Sequence, residues 1–463
     1  ALGACVAGPP PEIATPAPVL PEEFRYAATG DDQASIESLL PNEDAGFRLL
    51  SSAAIESGPS LAEAIARVEA ARAGASRAGA ERLPNIGVDT SVDRRRSNPA
   101  QFGGSVPAAI QFDREQTGYS ANLTARWDAD IFGALKAGER AALARLDAAT
   151  ANAEAVRIAL TSEIAASVID WRTLEARRVA LERDLAESNR LVSITSERVN
   201  AGLLAEFNTL RIQATASQSA TRLAALGSER ARLLGRMVLL TGLTAQQVEE
   251  ALEESAEVSS LPGAPASIPS DILANRPDIR AAAAQLAASD AELAAAARKR
   301  FPRLNLSATL GLLAFNLDDL FDDESNIYNL RAGLAAPLLD FGRIQAEIDG
   351  AAANKKAAFA AYRGAVFTAL ADAETAYGLV AAADSEARAA KNESEELQRV
   401  AELAEVRFES GLEDSLALLE ARRAADSSGE RAAASLGRAR RARVLLWQAL
   451  GGNTYPTNRS TSQ

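Results

Sequence analysis

The side chains available for chemistry in this sequence are almost all carboxylates and cations. The 463 residues include no His, one Cys and one Met, against 62 Asp and Glu and 49 Lys and Arg. Histidine is the usual general base and the commonest metal ligand, so catalytic triads and Cys–His dyads are excluded and zinc sites are disfavoured. We therefore expect no enzyme, no cofactor and no metal. Catalysis by a carboxylate pair stays open, but the sequence does not locate such a pair.

The net charge of −13 disfavours nucleic acid as a partner. One short string imitates a catalytic motif. Asp340-Phe341-Gly342 matches one motif of protein kinases, but no other kinase element accompanies it. Because it lies between a predicted strand and a predicted helix, we interpret it as a helix start.

The single cysteine lies in Leu2-Gly3-Ala4-Cys5, which resembles the end of a bacterial lipoprotein signal. In such signals the Cys becomes acylated, and the proline-rich stretch from Pro9 to Pro21 would then be a tether. Val6 follows in place of Asp, which by the same resemblance favours the outer membrane over the inner. We expect a covalent lipid, such as palmitate, on Cys5. The alternative is an incidental cysteine in a flexible tail.

The sequence contains one long unit twice. Arg198-Val-Asn-Ala-Gly202-Leu203 returns as Arg407-Phe-Glu-Ser-Gly411-Leu412, with an offset of 411 − 202 = 209. Phe132-Gly133 returns as Phe341-Gly342 at the same offset, 341 − 132 = 209. Such a unit is too long for a solenoid repeat and occurs only twice, so we interpret it as a duplicated half-domain.

Each half carries two segments in which apolar and polar residues alternate, which is typical of strands. They span about 84–94 and 119–129 in the first half and about 303–313 and 328–339 in the second. A sheet on a soluble core gives the same alternation. Strands of about 9–11 residues also suit a bilayer crossing. Four strands cannot close a transmembrane barrel, so in a membrane the protein must be an oligomer of two or three chains.

Long alanine-rich helices are predicted at about 134–200 and 204–241, and again at about 342–410 and 415–450. Apolar residues recur there at spacings of three, four and seven, which is typical of coiled coils, as at Ile164, Val168, Trp171, Leu181, Leu185 and Val192. Such helices can be inert spacers. No apolar run reaches the roughly eighteen residues that a membrane helix needs.

The predicted organisation has four parts. Residues 1–48 form a lipidated tether and an extended segment, 49–260 the first repeat, 261–452 the second repeat, and 453–463 a C-terminal tail.

Four motifs occur in an order typical of one family. They are Tyr119 to Gly133 (YSANLTARWDADIFG), Ile268 to Ile279 (IPSDILANRPDI), Phe301 to Leu306 (FPRLNL) and the ending Ala449-Leu450-Gly451-Gly452. Together with the repeats and the lipid motif, they resemble the TolC family of outer membrane factors. The resemblance is greatest to its lipoprotein branch in tripartite RND efflux systems, and it covers about Leu49 to Gly452.

The resemblance implies a mainly α protein with transmembrane β-strands. Three chains would form a 12-stranded β-barrel continued by an α-helical barrel. The protein would be lipid-anchored in the bacterial outer membrane and extend into the periplasm, as a homotrimer. It would pass small molecules from an inner-membrane RND transporter and a periplasmic adaptor (membrane fusion protein) to the outside. The alternatives are the outer membrane duct of a type I protein secretion system and a soluble coiled-coil scaffold.

The resemblance also assigns two groups of site residues. The helical hairpin tips would contact the adaptor through Arg198, Gly202, Leu203, Arg407, Gly411 and Leu412. The periplasmic aperture would involve Phe408, Leu416, Glu420, Glu413 and Asn208. Three copies of Glu420 would form a carboxylate ring that selects cations. Some relatives join their repeats by an Asp–Arg contact, whereas Asn208 and Glu413 can only hydrogen-bond. A solvated acidic turn is the alternative for Glu413, Asp414 and Glu420.

Overall fold

The structure is a computed structural model that describes residues 13–21, 23–27, 35–96, 115–253, 261–265 and 276–452. The predictions for Cys5, for the tail 453–463 and for most of the Ile268 to Ile279 motif lie outside the described residues.

The described residues form long helices and a small sheet. In chain order the elements are α1 Ala45–Ser57, α2 Pro59–Ala80, β1 Asn85–Arg96, β2 Glu115–Ala129, α3 Ala134–Asn200, α4 Glu206–Thr241, α5 Ala245–Glu253, α6 Pro277–Arg298, β3 Arg303–Ala314, β4 Asn326–Ala335, α7 Arg343–Glu409 and α8 Ser415–Ala449. Short 3-10 turns lie at Ile36–Leu39 and Asp323–Ser325. The mainly α fold built from two repeats is confirmed. Within the described ranges, none of the helices is long and apolar enough to cross a membrane.

The N-terminal boundary of the helical region differs from the sequence prediction. Helix α1 begins at Ala45, inside the segment 1–48 that we expect to be extended. Asp44 starts the helix, because its carboxylate accepts a hydrogen bond from the backbone N–H of Phe47 at 3.2 Å. The same carboxylate pairs with Arg172, so the helix start is also fixed by α3.

Strand β4 ends earlier than predicted. We expect the last strand to reach about residue 339, but it ends at Ala335. Residues 336–338 follow without strand structure, and they include Pro337, which has no N–H to donate. Strand β2 runs on to Ala129, where it still pairs with β3. The two halves therefore differ at this point because β4 has a neighbouring strand on one side only.

The chain folds as two compact units, and neither coincides with a repeat. One, the sheet unit, comprises residues 1–16, 69–148 and 283–361, and the other, the helical unit, comprises 17–68, 149–282 and 362–463. Each takes segments from both halves of the sequence. In the sheet unit the two halves are joined because β2 of the first half pairs with β3 of the second.

The sheet unit has four antiparallel strands in the order β1-β2-β3-β4. Asn85 lies opposite Arg126, Ala129 opposite Leu304, and Arg303 opposite Ala335. Beside the sheet, the apolar faces of α6 and α7 pack together through Leu293, Ala296, Ala297, Ile344, Ile348 and Ala352.

The long helices of this unit begin at matching aspartates. Asp130 accepts hydrogen bonds from the N–H groups of Leu135 and Lys136, at 3.0 and 2.8 Å. Asp340 accepts them from Gly342 and Ile344, at 3.2 and 2.9 Å. A carboxylate at a helix N-terminus satisfies free N–H groups and complements the helix dipole. The interpretation of Asp340-Phe341-Gly342 as a helix start is confirmed.

Among the described residues, the helical unit has two large apolar cores, besides a smaller one at the hairpin tips. One joins α1, α3, α4, α5 and α8 through residues that include Leu50, Ile164, Trp171, Met237, Val248 and Val444. The other gathers Phe24, Leu39, Ile158, Ile279, Tyr377 and Trp447. Each large side chain buried in this way contributes roughly 1.5–3 kcal/mol to folding. These cores hold the long helices in register, and so fix the positions of the hairpin tips described next.

Candidate functional site

Two helical hairpins of the helical unit end in tips of the same geometry. The first joins α3 to α4, and the second joins α7 to α8. Gly202 and Gly411 both have φ of +71°. Leu203 N–H donates to the Arg198 carbonyl at 2.8 Å, and Leu412 N–H does the same to Arg407. This is a Schellman motif, which requires a left-handed residue after the helix, and glycine takes that conformation at least cost. Both glycines therefore form the left-handed turns that close the hairpin tips, and their contact with an adaptor stays a prediction.

The residues predicted to contact an adaptor lie in different surroundings. Leu203 and Leu412 project from the two tips and are exposed. Arg407 is exposed and pairs with Glu413 at 2.5 Å, so that pair stays within one hairpin. Arg198 is half-buried, with its guanidinium 4.7 Å from the centre of the Phe408 ring. The exposed leucines are therefore the most accessible part of the predicted contact surface.

Phe408 does not line an aperture. Its side chain is only 7% exposed, and it packs with Leu191, Ile212, Leu418 and Leu419. A side chain buried within one chain cannot also face a passage, so the prediction for Phe408 is corrected. Phe408 supports the hairpin tips from behind, under the cation of Arg198. Asn208 and Leu416 are half-buried.

Glu420 is exposed but paired. Its Oε1 accepts a hydrogen bond from Nη2 of Arg211 at 3.1 Å. Arg211 lies in α4 and Glu420 in α8, and the two are separated by 209 residues, the offset of the repeat. They therefore occupy equivalent positions in the two halves. This ion pair joins the two repeats. The sequence analysis considered only Asn208 and Glu413 for such a contact and did not predict it.

Arg422 forms a second link near the tips. Its guanidinium donates to Glu187 of α3 and to Glu405 of α7, both at 2.7 Å. Burial opposes the charge, but the hydrogen bond to Glu187 and the negative charge of Glu405 outweigh it and raise the pKa of Arg422. This cation therefore stays charged and ties α8 to both long helices.

A pair of aspartates lines a cavity of about 280 Å³ behind Glu420. Asp184 comes from α3 and Asp426 from α8, and the hydroxyl of Ser219 donates to Asp184. Burial, together with the hydrogen bond and the charge of Asp184, raises the pKa of Asp426 to about 7. The charge of Arg422 opposes this rise. Asp426 therefore keeps its proton up to a higher pH than an ordinary aspartate.

Sequence reasoning missed Arg211, Arg422 and the aspartate pair. One signal was available, because the offset of 209 places Arg211 at the position of Glu420. Nothing in the spacing of Asp184 and Asp426 indicates that they meet, since they lie on helices from different halves.

The fold matches a solved channel structure. The outer-membrane channel OprN aligns with a TM-score of 0.82 and 25% sequence identity, over 96% of this chain and 99% of that one. Long paired helices, an antiparallel sheet and exposed hairpin tips are thus the features of an outer membrane channel protein.

The chain belongs to the outer membrane efflux protein family, which it matches over residues 50–243 and 268–452. It is 31% identical to the pyoverdine export outer membrane protein OpmQ of Pseudomonas aeruginosa, over 97% of this chain and 94% of that protein. It is 28% identical to outer membrane protein OprJ of the same species, over 97% and 93%. The predicted family, the outer membrane location and the role in an efflux pump are confirmed.

Proposed function

We propose that three copies of this chain form one duct through the outer membrane. The observation that carries the proposal is the open sheet, in which, among the strands that the structure describes, β1 and β4 each have a neighbour on one side only. Unpaired backbone groups are costly in lipid, so a sheet in a membrane must close on itself. Three copies supply twelve strands, enough for a closed barrel.

The duct would pass small molecules without chemistry of its own. They would arrive from an inner-membrane RND transporter through a periplasmic adaptor, and the transporter would supply the energy. The name of OpmQ, a pyoverdine export protein, supports a small molecule as cargo. We further propose a lipid on Cys5 as the membrane anchor of each chain.

The hairpin tips would be both the docking site and the gate. The exposed side chains of Leu203 and Leu412 offer the adaptor an apolar contact at the apex of each hairpin. Behind them, Arg211 and Glu420 join the inner helices of the two halves by a partly exposed ion pair. Exposed ion pairs contribute only about 0–1 kcal/mol, so adaptor binding can open this contact at low cost.

The test combines mass in detergent with conductance in planar bilayers. We expect a trimer that forms pores, and Glu420→Gln should enlarge the conductance and weaken the cation preference, because glutamine keeps the shape but removes the charge. Glu386→Gln is the matched control. Glu386 pairs with Arg438 at 2.6 Å and is similarly exposed, but it lies on α7 away from the tips.

A monomer that forms no pores would overturn the duct. Equal effects of Glu420→Gln and Glu386→Gln on conductance and cation preference would contradict a gate at Glu420 but not the duct itself.

A further inference from the structure

We propose that β4 pairs with β1 of the neighbouring copy in one defined register, in which Arg331 faces the partner's Asp93 and Phe341 packs on the partner's Leu83. The inference rests on the trimeric duct proposed above and specifies how its chains join. It follows from the internal repeat of the sheet unit.

The two hairpins of the sheet have the same register. In the first, Asn85 pairs with Arg126, and in the second, Arg303 pairs with Ala335. The first strands are therefore related by 303 − 85 = 218 residues, and the second strands by 335 − 126 = 209. The shift of 209 is the one that relates Phe132 to Phe341, and with it every pair of the second hairpin maps onto a pair of the first, as Leu310 opposite Tyr328 maps onto Val92 opposite Tyr119.

The contact between the hairpins can be carried over by these shifts. Within the chain, β2 pairs with β3, with Asn122 opposite Gly311 and Ala129 opposite Leu304. In a closed ring of equivalent hairpins, β4 meets the partner's β1 in the same way. Asn122 opposite Gly311 then becomes Arg331 opposite the partner's Asp93, and Ala129 opposite Leu304 becomes Leu338 opposite the partner's Ile86.

The free edge of β4 shows what the neighbour would cover. Residues 336–338 correspond to Trp127 through Ala129, which pair with β3 and not with β1. Among the described strands their equivalents have no partner, and β4 ends at Ala335, two residues before Pro337. Leu338 is accordingly 99% exposed.

An aromatic contact at the base of the sheet supports the same register. Phe132 stacks on Phe301 with ring centres 4.8 Å apart and is 42% exposed. Its repeat equivalent, Phe341, is 91% exposed and has a φ of +52°. The equivalent of Phe301 is Leu83, because Arg82-Leu83-Pro84 occupies the place of Arg300-Phe301-Pro302. Leu83 is 67% exposed. Phe341 and Leu83 are thus exposed apolar side chains at opposite edges of the sheet. The proposed register would bring Phe341 of one copy onto Leu83 of the next.

Charge disfavours one of the two neighbouring registers, while a slip in the other direction would place Arg331 opposite the uncharged Ser91. The side chain of Asn122 lies over Gly311, where an added Cβ would overlap with its Oδ1. The partner's Asp93 carries a Cβ where Gly311 has none, so Arg331 cannot lie over it as Asn122 lies over Gly311. The two side chains would instead lie side by side on the same face of the sheet, as an ion pair. Within the chain, Ser91 donates a hydrogen bond to that aspartate at 3.1 Å. A slip of two residues would place Arg331 opposite Arg95, and like charges directly opposite destabilise a sheet.

Cysteine cross-linking of the full chain tests the register. Ser91→Cys with Gly333→Cys, and Val92→Cys with Ala332→Cys, are two successive opposed pairs in the proposed seam. One of any two successive pairs is of the closer, non-hydrogen-bonded kind, whose Cβ atoms approach the separation a disulfide needs. The Gly333 site has room, since a Cβ there would be 4.0 Å from the nearest atom, Asn305 O. Cys5 is present in every variant, so single variants control for it.

The expected result is covalent dimers and trimers on a non-reducing gel from at least one of these double variants, and none from the single variants. Asp89→Cys with Gly333→Cys is the shifted control, whose Cβ atoms would lie about 7–8 Å apart. Mass in detergent is measured in parallel. A trimer that cross-links only through the shifted pair overturns the register, whereas a monomer overturns the proposed duct itself.

A charge exchange tests the ion pair separately. Arg331→Asp and Asp93→Arg should each lower the temperature at which the trimer dissociates in detergent, and the double variant should recover most of the loss. If the double variant loses as much as the two single losses together, the two residues do not face each other.

Discussion

Asp426 faces groups from two other helices and from its own. Asp184 and Glu187 lie on α3, Ser219 on α4, and Arg422 on α8 one turn before it. Arg222, Glu420 and Arg423 line the same cavity. Because its pKa is raised from 3.8 to about 7, the folded chain holds a proton that the unfolded chain releases. Stability therefore falls as the pH rises from about 4 through 7.

We expect Asp426→Asn to remove this dependence. Asparagine imitates the protonated carboxyl group, so the midpoint of thermal unfolding should rise at both pH values, and by roughly 2 °C more at pH 8 than at pH 5. Thermal melts of the detergent-extracted protein at the two pH values measure this. Asp349→Asn, at an exposed helical aspartate, is the control and should give equal shifts at both. A lower unfolding midpoint for Asp426→Asn than for the unchanged chain at pH 8 would contradict the prediction that ionisation of Asp426 destabilises the fold.

At the level of single residues, the sequence was a partial guide. The tip residues and Glu420 lie at the ends of the hairpins as the resemblance implies. Phe408 was misplaced, because the sequence shows that a residue is near a tip but not which side of the helix faces the core. The pairing of Asp184 with Asp426 depends on which helices are neighbours, and spacing within one helix carries no information about that.

The hairpin tips depend on the left-handed glycines. An alanine at φ +71° is strained by about 1–2 kcal/mol. We expect Gly411→Ala to loosen the tip, and hydrogen exchange of the Leu412 amide, which bonds to the Arg407 carbonyl, should quicken by roughly five- to tenfold.

Gly227→Ala is the matched control for the tip. This glycine lies inside α4, and a Cβ there would meet nothing within 4 Å. Alanine should stabilise the helix by roughly 0.5–1 kcal/mol and leave the exchange of Leu412 unchanged. Equal exchange in both variants would show that the tip tolerates alanine.

The elements with a clear period of apolar residues were predictable, and those without one were not. The four strands and the helices α3, α4, α7 and α8 have clear periods, and their bounds were placed within a few residues. Helices α2 and α6 are alanine-rich with no clear apolar stripe, so their positions and bounds depend on tertiary packing. The early end of β4 depends on a missing neighbour strand, which is a property of assembly rather than of local sequence.

One buried cation links distant parts of the helical unit. Arg276 donates to Asp278 and Asp372, and to the Ala449 carbonyl at the end of α8. It thereby ties the start of α6 to the last helix. This explains the sequence Arg276-Pro277-Asp278 in the inter-repeat motif, since the arginine supplies the cation and Asp278 orients it.

We expect Arg276→Ala to destabilise the chain by about 1–2 kcal/mol, because the Ala449 carbonyl loses its buried donor while the two half-exposed carboxylates can be hydrated. Chemical unfolding followed by circular dichroism measures this. Arg438→Ala, which breaks the exposed pair with Glu386, should cost less than about 1 kcal/mol. Similar losses for the two variants would contradict a central role for Arg276.

For the whole molecule, the sequence required an oligomer but did not count its chains. Four strands with two free edges allow more than one number of copies, and the number three came from the family resemblance. The division into two compact units was also hidden, because each unit joins segments from both halves that are far apart in sequence.

The ion pair between Arg211 and Glu420 also bears on how the chain arose. If both halves descend from a single ancestral segment, these two positions once carried the same residue, and identical side chains cannot attract each other as ions. An ancestral ring of six equal segments could not have closed in this way. Two copies joined in one chain can differ at such positions, and Arg211 and Glu420 do so with opposite charges.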